Sequence, residues 1–116
     1  MFGNMIRDIW TSTPGLENLL LSGIDGIVIE KKNDTEDDDL IAAEAGNLIK
    51  ECQRFGQELN SGPLQFFTTR YEHCTVAIQM VTEDYFLLGI VKDPKYMGVV
   101  RYQFNLKSYE WYSAIA

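Results

Sequence analysis

The chain has 116 residues, 46% of them hydrophobic and 23% charged, with a net charge of −7 from 17 acidic against 10 basic side chains. A chain of this length buries about two-thirds of its surface on folding, enough for one core without metals or disulfides, and its composition excludes wholesale disorder. The negative field repels nucleic acid and anionic membrane surfaces and favours partners with a basic face, so neither nucleic acid nor membrane is expected as a partner.

Phe2, Met5, Ile6 and Ile9 recur at helical spacing and predict a short amphipathic helix, closed by Thr13-Pro14-Gly15. Residues 16–21 and 27–31 read as strands. Between them Gly23-Ile24-Asp25-Gly26 supplies the Asp-Gly chemistry of a hairpin turn. After the charged stretch 31–39, a long helix runs from Asp38 or Asp39 to Leu59. Its predicted apolar stripe is Ile41, Ala45, Leu48, Cys52, Phe55 and Leu59, with one of the preceding acids as cap. Asn60-Ser61-Gly62-Pro63 ends it. Three strands follow, residues 64–71, 74–82 and 85–91, joined by the links Glu72-His73 and Glu83-Asp84, which are short enough to force antiparallel neighbours. The last of these is apolar on both faces and so belongs in the middle of a sheet covered on both sides by helices. Asp93-Pro94 caps a final helix running to Leu106 or Tyr109. Its apolar residues fall on more than one face, so it needs two neighbours: the sheet, and either the first helix or a second chain.

Chemical motifs are absent. No glycine-rich phosphate loop occurs, and the single histidine, His73, falls at a turn, so neither a metal site nor a Ser-His-Asp set can be assembled around it. The acidic run from Asp34 to Asp39 fails as a calcium loop: position six is Asp39 rather than glycine, and position twelve is Ala45 rather than glutamate. Arg7, Arg54, Arg70 and Arg101 read as surface or interface residues. Cys52 and Cys74 read as buried thiols of a reducing compartment. With no 18-residue apolar run and no basic-then-apolar leader, a cytoplasmic protein is expected. No repeat or linker divides the chain, so one domain over residues 1–116 is expected, with no catalytic residue, metal or cofactor.

The positive signals concern association. Ala42, Ala43 and Gly46 form a small-residue patch on the long helix. A mid-helix glycine costs about 1 kcal/mol relative to alanine, which a close backbone approach would offset. That approach is either to the same helix of a second copy or to the chain's own sheet. Strand 64–71 carries Gln65, Phe66, Phe67, Thr68 and Thr69. As an edge strand it lacks the lysines and bulges that blunt an edge, and it would pair with a twin across a two-fold axis.

Residues 19–29 (Leu-Leu-Leu-Ser-Gly-Ile-Asp-Gly-Ile-Val-Ile), residues 39–48 at the start of the long helix, and residues 86–91 followed by 97–102 stand in the order helix, strand, strand, helix, strand, strand, strand, helix. On these stretches the chain resembles the Roadblock/dynein light chain family, including the bacterial MglB-like small-GTPase regulators. The likeness spans about residues 16–106. It departs from the family in a longer acidic insertion and in the aromatic tail Tyr109, Trp111 and Tyr112. The resemblance implies an α+β, three-layer α/β/α sandwich of profilin/longin type around a five-stranded antiparallel sheet. It implies a homodimer that joins the 64–71 edges and pairs the long helices. It also implies a non-enzymatic regulator or scaffold for a Ras-like small GTPase, one that speeds hydrolysis, if at all, by remodelling its partner. Glu44, Asn47, Lys50, Glu51 and Arg54 are then the candidate partner contacts. The alternatives are a small-molecule sensor domain and a nucleotide-independent assembly scaffold of dynein light chain type.

Overall fold

Turn residues and the switch from helical to alternating apolar spacing produce the order α1 (Phe2–Ser12), β1 (Leu16–Gly23), β2 (Val28–Lys31), α2 (Asp38–Glu58), β3 (Phe66–Arg70), β4 (Thr75–Met80), β5 (Tyr85–Val91), a 3-10 turn (Pro94–Tyr96) and α3 (Met97–Ile115). This computed structural model describes residues 2–115. The Phe2 side chain expected on the apolar face of α1, and the outermost residues of the expected 1–116 domain, lie outside the described residues.

The strands form one antiparallel sheet in the order β2-β1-β5-β4-β3. β5 is central, as its two apolar faces predict. Alternation sends Leu87 and Val91 into a core with Ile6 and Ile9 of α1 and Val100, Phe104 and Trp111 of α3. Phe86 and Leu88 enter a second core with Ala42, Ala45 and Ile49 of α2. The architecture is therefore three layers, with α1 and α3 on one face and α2 on the other. At Gly89 a Cβ would lie 2.6 Å from the Phe104 ring, so the missing side chain lets α3 sit close on the sheet.

Several boundaries and faces differ from expectation. The β3–β4 and β4–β5 ladders end at Arg70/Thr75 and Met80/Phe86. The connections are four residues long, closed by Tyr71 N–H to the Cys74 carbonyl and Val81 N–H to the Tyr85 carbonyl. α3 continues well past Tyr109, because Trp111 buries its ring in the α1/α3 core and Lys107 Nζ pairs with Asp8 of α1 at 2.7 Å. Its second neighbour is thus α1. Asp93 accepts from Lys95 N–H at 3.1 Å and caps the 3-10 turn. Both cysteines are free and only half-buried.

The main correction concerns α2. Its buried residues are Asp38, Ala42, Ala45, Gly46 and Ile49, a face rotated by roughly a quarter-turn from the predicted stripe at about 100° per residue. Of the predicted stripe only Ala45 is fully buried. Leu48, Phe55 and Leu59 are 45%, 63% and 56% exposed. Small residues face the sheet because the helix sits close to it.

Candidate functional site

The start of α2 is secured by a buried carboxylate. Asp37, at the cap position, makes no side-chain capping bond. Asp38, the first helical residue, is completely buried instead. It accepts from Thr35 Oγ1 (2.6 Å), Thr35 N–H (3.2 Å) and Asn18 Nδ2 (3.1 Å), with Lys31 Nζ at 3.7 Å. Burial pushes the Asp38 carboxyl up, but the Thr35 hydroxyl and N–H, the Asn18 amide and the Lys31 charge outweigh it and hold the carboxyl below the ordinary aspartate value. The acidic run is thereby folded back onto β1 and the end of β2. Among the described residues no group of three or more His, Cys, Asp or Glu side chains is placed to share a metal ion.

One flank of α2 abuts the β1–β2 hairpin. The hairpin turns with Gly26 at φ +86°, and Asp25 Oδ1 accepts from Ile27 N–H at 3.0 Å. A Cβ at Gly46 would collide with the Ile24 carbonyl oxygen, and one at Gly26 would lie 3.0 Å from Ala43 Cα. Gly46 and Ala42 of the predicted dimer patch are therefore taken up inside the subunit, by the hairpin and by the sheet. The close approach that offsets the glycine's cost is to the chain's own backbone, one of the two readings left open by sequence. Ala43 remains exposed.

The flank away from the hairpin carries Leu48, Phe55 and Leu59. On the same face of the sheet Phe67, Val76 and Ile90 are only half-buried. Sequence reading missed this apolar surface because it placed these helix residues in the core. The signal available was the competing 4-3-4 spacing of Asp38, Ala42, Ala45 and Ile49. The outward face of α2 presents Glu44, Asn47, Lys50, Glu51 and Arg54, all exposed, with Glu51 and Arg54 paired to each other.

β3 is an outer strand that pairs with β4 alone, in a regular ladder. Met80 N–H donates to the Gln65 carbonyl and Tyr71 N–H to the Cys74 carbonyl, so odd-numbered residues face β4. In an antiparallel ladder the N–H and C=O of Phe66, Thr68 and Arg70 then point outward. Phe67 and Thr69 put their side chains on the α2 face, while Phe66 lies on the other, with the Arg101 guanidinium 5.0 Å from its ring centre. Gln65 precedes the strand, and its carbonyl also accepts from Gln79 Nε2 at 3.1 Å. The arrangement offers an unpaired strand edge beside an apolar helix flank, with a mixed-charge helix face above them. His73 is exposed, as are Arg7, Arg54, Arg70 and Arg101. No helix among the described residues is long and apolar enough to cross a membrane.

A family model described as Roadblock/LC7 domain matches residues 4–92. A Roadblock/LC7 domain from Streptomyces avermitilis superposes with a TM-score of 0.83 at 15% identity, covering 96% of this chain and 94% of that one. MglB of Myxococcus xanthus gives 0.80 at 13% identity, covering 97% and 89%. Profilin II of Acanthamoeba castellanii gives 0.70 at 12% identity, covering the full length of both chains. At these identities the likeness establishes the fold. No curated protein sequence matches the chain.

Proposed function

The chain belongs to the Roadblock/LC7 domain family, and from that premise we propose that it is a cytoplasmic, homodimeric, non-enzymatic regulator or scaffold that binds a Ras-like small GTPase, acting as a single domain over residues 1–116. Members of this family are generally regulatory or scaffolding proteins rather than catalysts.

The observation that carries the reading is the coincidence of two open surfaces on one side of the molecule. The outward N–H and C=O groups of Phe66, Thr68 and Arg70 need a strand partner. Leu48, Phe55 and Leu59 need an apolar one. A two-fold axis beside β3 meets both needs with a second copy, extending the sheet across Gln65, Phe66, Phe67, Thr68 and Thr69 and laying one α2 flank against the other. Ala43 lies outside that seam, and Ala42 and Gly46 support it from within the subunit.

Pairing along this flank leaves Glu44, Asn47, Lys50, Glu51 and Arg54 of both copies exposed together, as a docking face of alternating charge. A GTPase bound there would be regulated through its shape.

The test is light scattering at micromolar concentration, followed by titration with Ras-like GTPases of the same genome loaded with GDP or a non-hydrolysable GTP analogue. A dimer whose affinity depends on the nucleotide supports the regulator. Equal affinity for both forms replaces it with the nucleotide-independent scaffold. A monomer, or no binding in either state, overturns the reading.

A further inference from the structure

Two arginines without acidic partners meet on the face of the sheet opposite α2. Alternation along β3 stands Phe66, Thr68 and Arg70 on that face, and the first turn of α3 lies alongside them. A cavity of about 360 Å³ sits between, with Arg70 and Arg101 as its charged residues. Elsewhere charges are matched: Arg54 pairs with Glu51, and Asp93, the acid that precedes α3, pairs with Lys95 at 3.5 Å. Among the described residues neither Arg70 nor Arg101 forms an ion pair with a carboxylate. In a chain of net charge −7 this is a local positive site.

We propose that the cavity binds the phosphate of a soluble nucleoside monophosphate, whose base occupies the adjoining cavity of about 430 Å³ beside Tyr102. The guanidiniums offer planar forks of N–H donors that match phosphate oxygens and stay charged. That of Arg101 is held 5.0 Å from the Phe66 ring centre, so it is oriented before a ligand arrives. The cavity also borders the first turn of α3, a 19-residue helix with no acid in that turn, whose dipole is positive there. Gly98 leaves the turn bare, since nothing lies within 4 Å of where its Cβ would be. Thr68 and Thr75, the latter only 5% exposed, add hydroxyl donors to the same lining.

The second cavity shares Phe66, Gly98 and Arg101 with the first, so a phosphate in one joins an organic part in the other without a gap. Its walls present the carboxamides of Gln65, Gln79 and Asn105 and the Tyr102 ring. Carboxamides meet the donors and acceptors of base edges, and a phenol ring stacks on a base. Gln79 Nε2 already donates to the Gln65 and Met80 carbonyls, which leaves its oxygen as an acceptor. A polyanion or an anionic membrane meets the negative field of the whole chain, so the ligand that fits is small and soluble.

This site goes beyond the GTPase reading. Pairing of two β3 edges uses backbone groups in the plane of the sheet, whereas these side chains stand out of that plane. One copy therefore holds a complete site, and a dimer holds two.

The experiment titrates the full chain calorimetrically with the four nucleoside monophosphates. The comparison probes are the matching nucleosides, inorganic phosphate, and vesicles of equal parts phosphatidylcholine and phosphatidic acid. We expect at least one nucleotide to bind below millimolar concentration, with its nucleoside and inorganic phosphate each about tenfold weaker or more. Nuclear magnetic resonance shifts should fall on residues 66–75 and 97–105 and leave α2 untouched. Arg70→Gln, at an exposed side chain the fold does not need, should weaken binding about tenfold. Gly98→Asp puts a carboxylate at the start of α3, where it favours the helix, so the melting temperature should hold or rise while binding is lost. No binding at millimolar nucleotide overturns the proposal, as does an affinity unchanged in either variant. Inorganic phosphate binding as tightly as the nucleotide overturns it in favour of an adventitious anion only, and preference for the vesicles overturns it in favour of a lipid surface. Loss of binding in Phe55→Asp, aimed at the dimer, also overturns it, since the site is built within one copy. Because α2 lies across the sheet, failure here leaves the GTPase reading standing, and the reverse holds too.

Discussion

The two outer strands of the sheet are treated in opposite ways. β2 is four residues long, half-buried throughout, and packed beneath α1. Its pairing with β1 shifts register between Leu21 and Ser22, and its last residue, Lys31, is held by Asp34 at 3.0 Å and Asp38 at 3.7 Å. Shortness, irregularity, charge and a covering helix all blunt an edge. β3, with a single charge at its end in Arg70, has neither the irregular register nor the covering helix. Its ladder is regular, and its residues are two aromatics, two threonines and an arginine. One edge is closed by the chain itself and the other is open, so the proposed pairing of two copies would leave no further edge to extend.

The strongest way to break this contrast is at the apolar flank of α2. Phe55→Asp removes a ring whose burial is worth about 2 kcal/mol. Counted twice across a two-fold axis, this raises the dimer dissociation constant by roughly a thousandfold, measured by analytical ultracentrifugation. Because the ring is exposed in the subunit, the monomer's helical circular dichroism should be unchanged.

Asp38→Ala attacks the closed edge instead. It leaves Thr35, Asn18 and Lys31 without their shared acceptor and should cost about 3 kcal/mol in urea unfolding. Amide exchange should accelerate first at β2 and the start of α2.

Thr68→Pro sharpens the contrast. It deletes an outward N–H while leaving the bonds to β4 in place. Affinity between copies should fall by about thirtyfold, with little change in the melting temperature of the isolated subunit.

The smallest effect is acid sensitivity. Asp38 ionises below its ordinary value in the folded chain, so its contribution is complete above about pH 4 and is lost as pH falls through the lower folded value. The stability of Asp38→Asn should therefore fall less steeply below pH 4 than that of the parent chain.

Local chemistry made most of the fold legible. The Asp25-Gly26 turn, the run Asn60-Ser61-Gly62-Pro63, Asp93-Pro94 and the double-faced strand β5 are all recognisable from neighbouring residues, because turns, caps and alternation act over a few positions. The orientation of α2 was not. Ile41, Leu48, Phe55 and Leu59 share a stripe as regular as that of Ala42, Ala45 and Ile49, and spacing carries no information about which stripe meets the sheet. Larger side chains marked the outer stripe as core, but the hairpin backbone at Ile24 and Gly26 comes so near that only small residues fit beneath it. The acidic run was equally opaque: of five acids in six positions, Asp38 is the one that Thr35 and Lys31 hold from nearby and that Asn18, twenty residues away, ties to β1.

The order of elements, the antiparallel pairing, the central strand and the lack of catalytic motifs were thus determined by sequence alone, since each depends on periodicity and on residues close along the chain. The face that α2 turns outward and the capture of Gly46 by its own hairpin were decided by tertiary structure. Each depends on how closely two remote backbones approach, and that distance is written in no single segment.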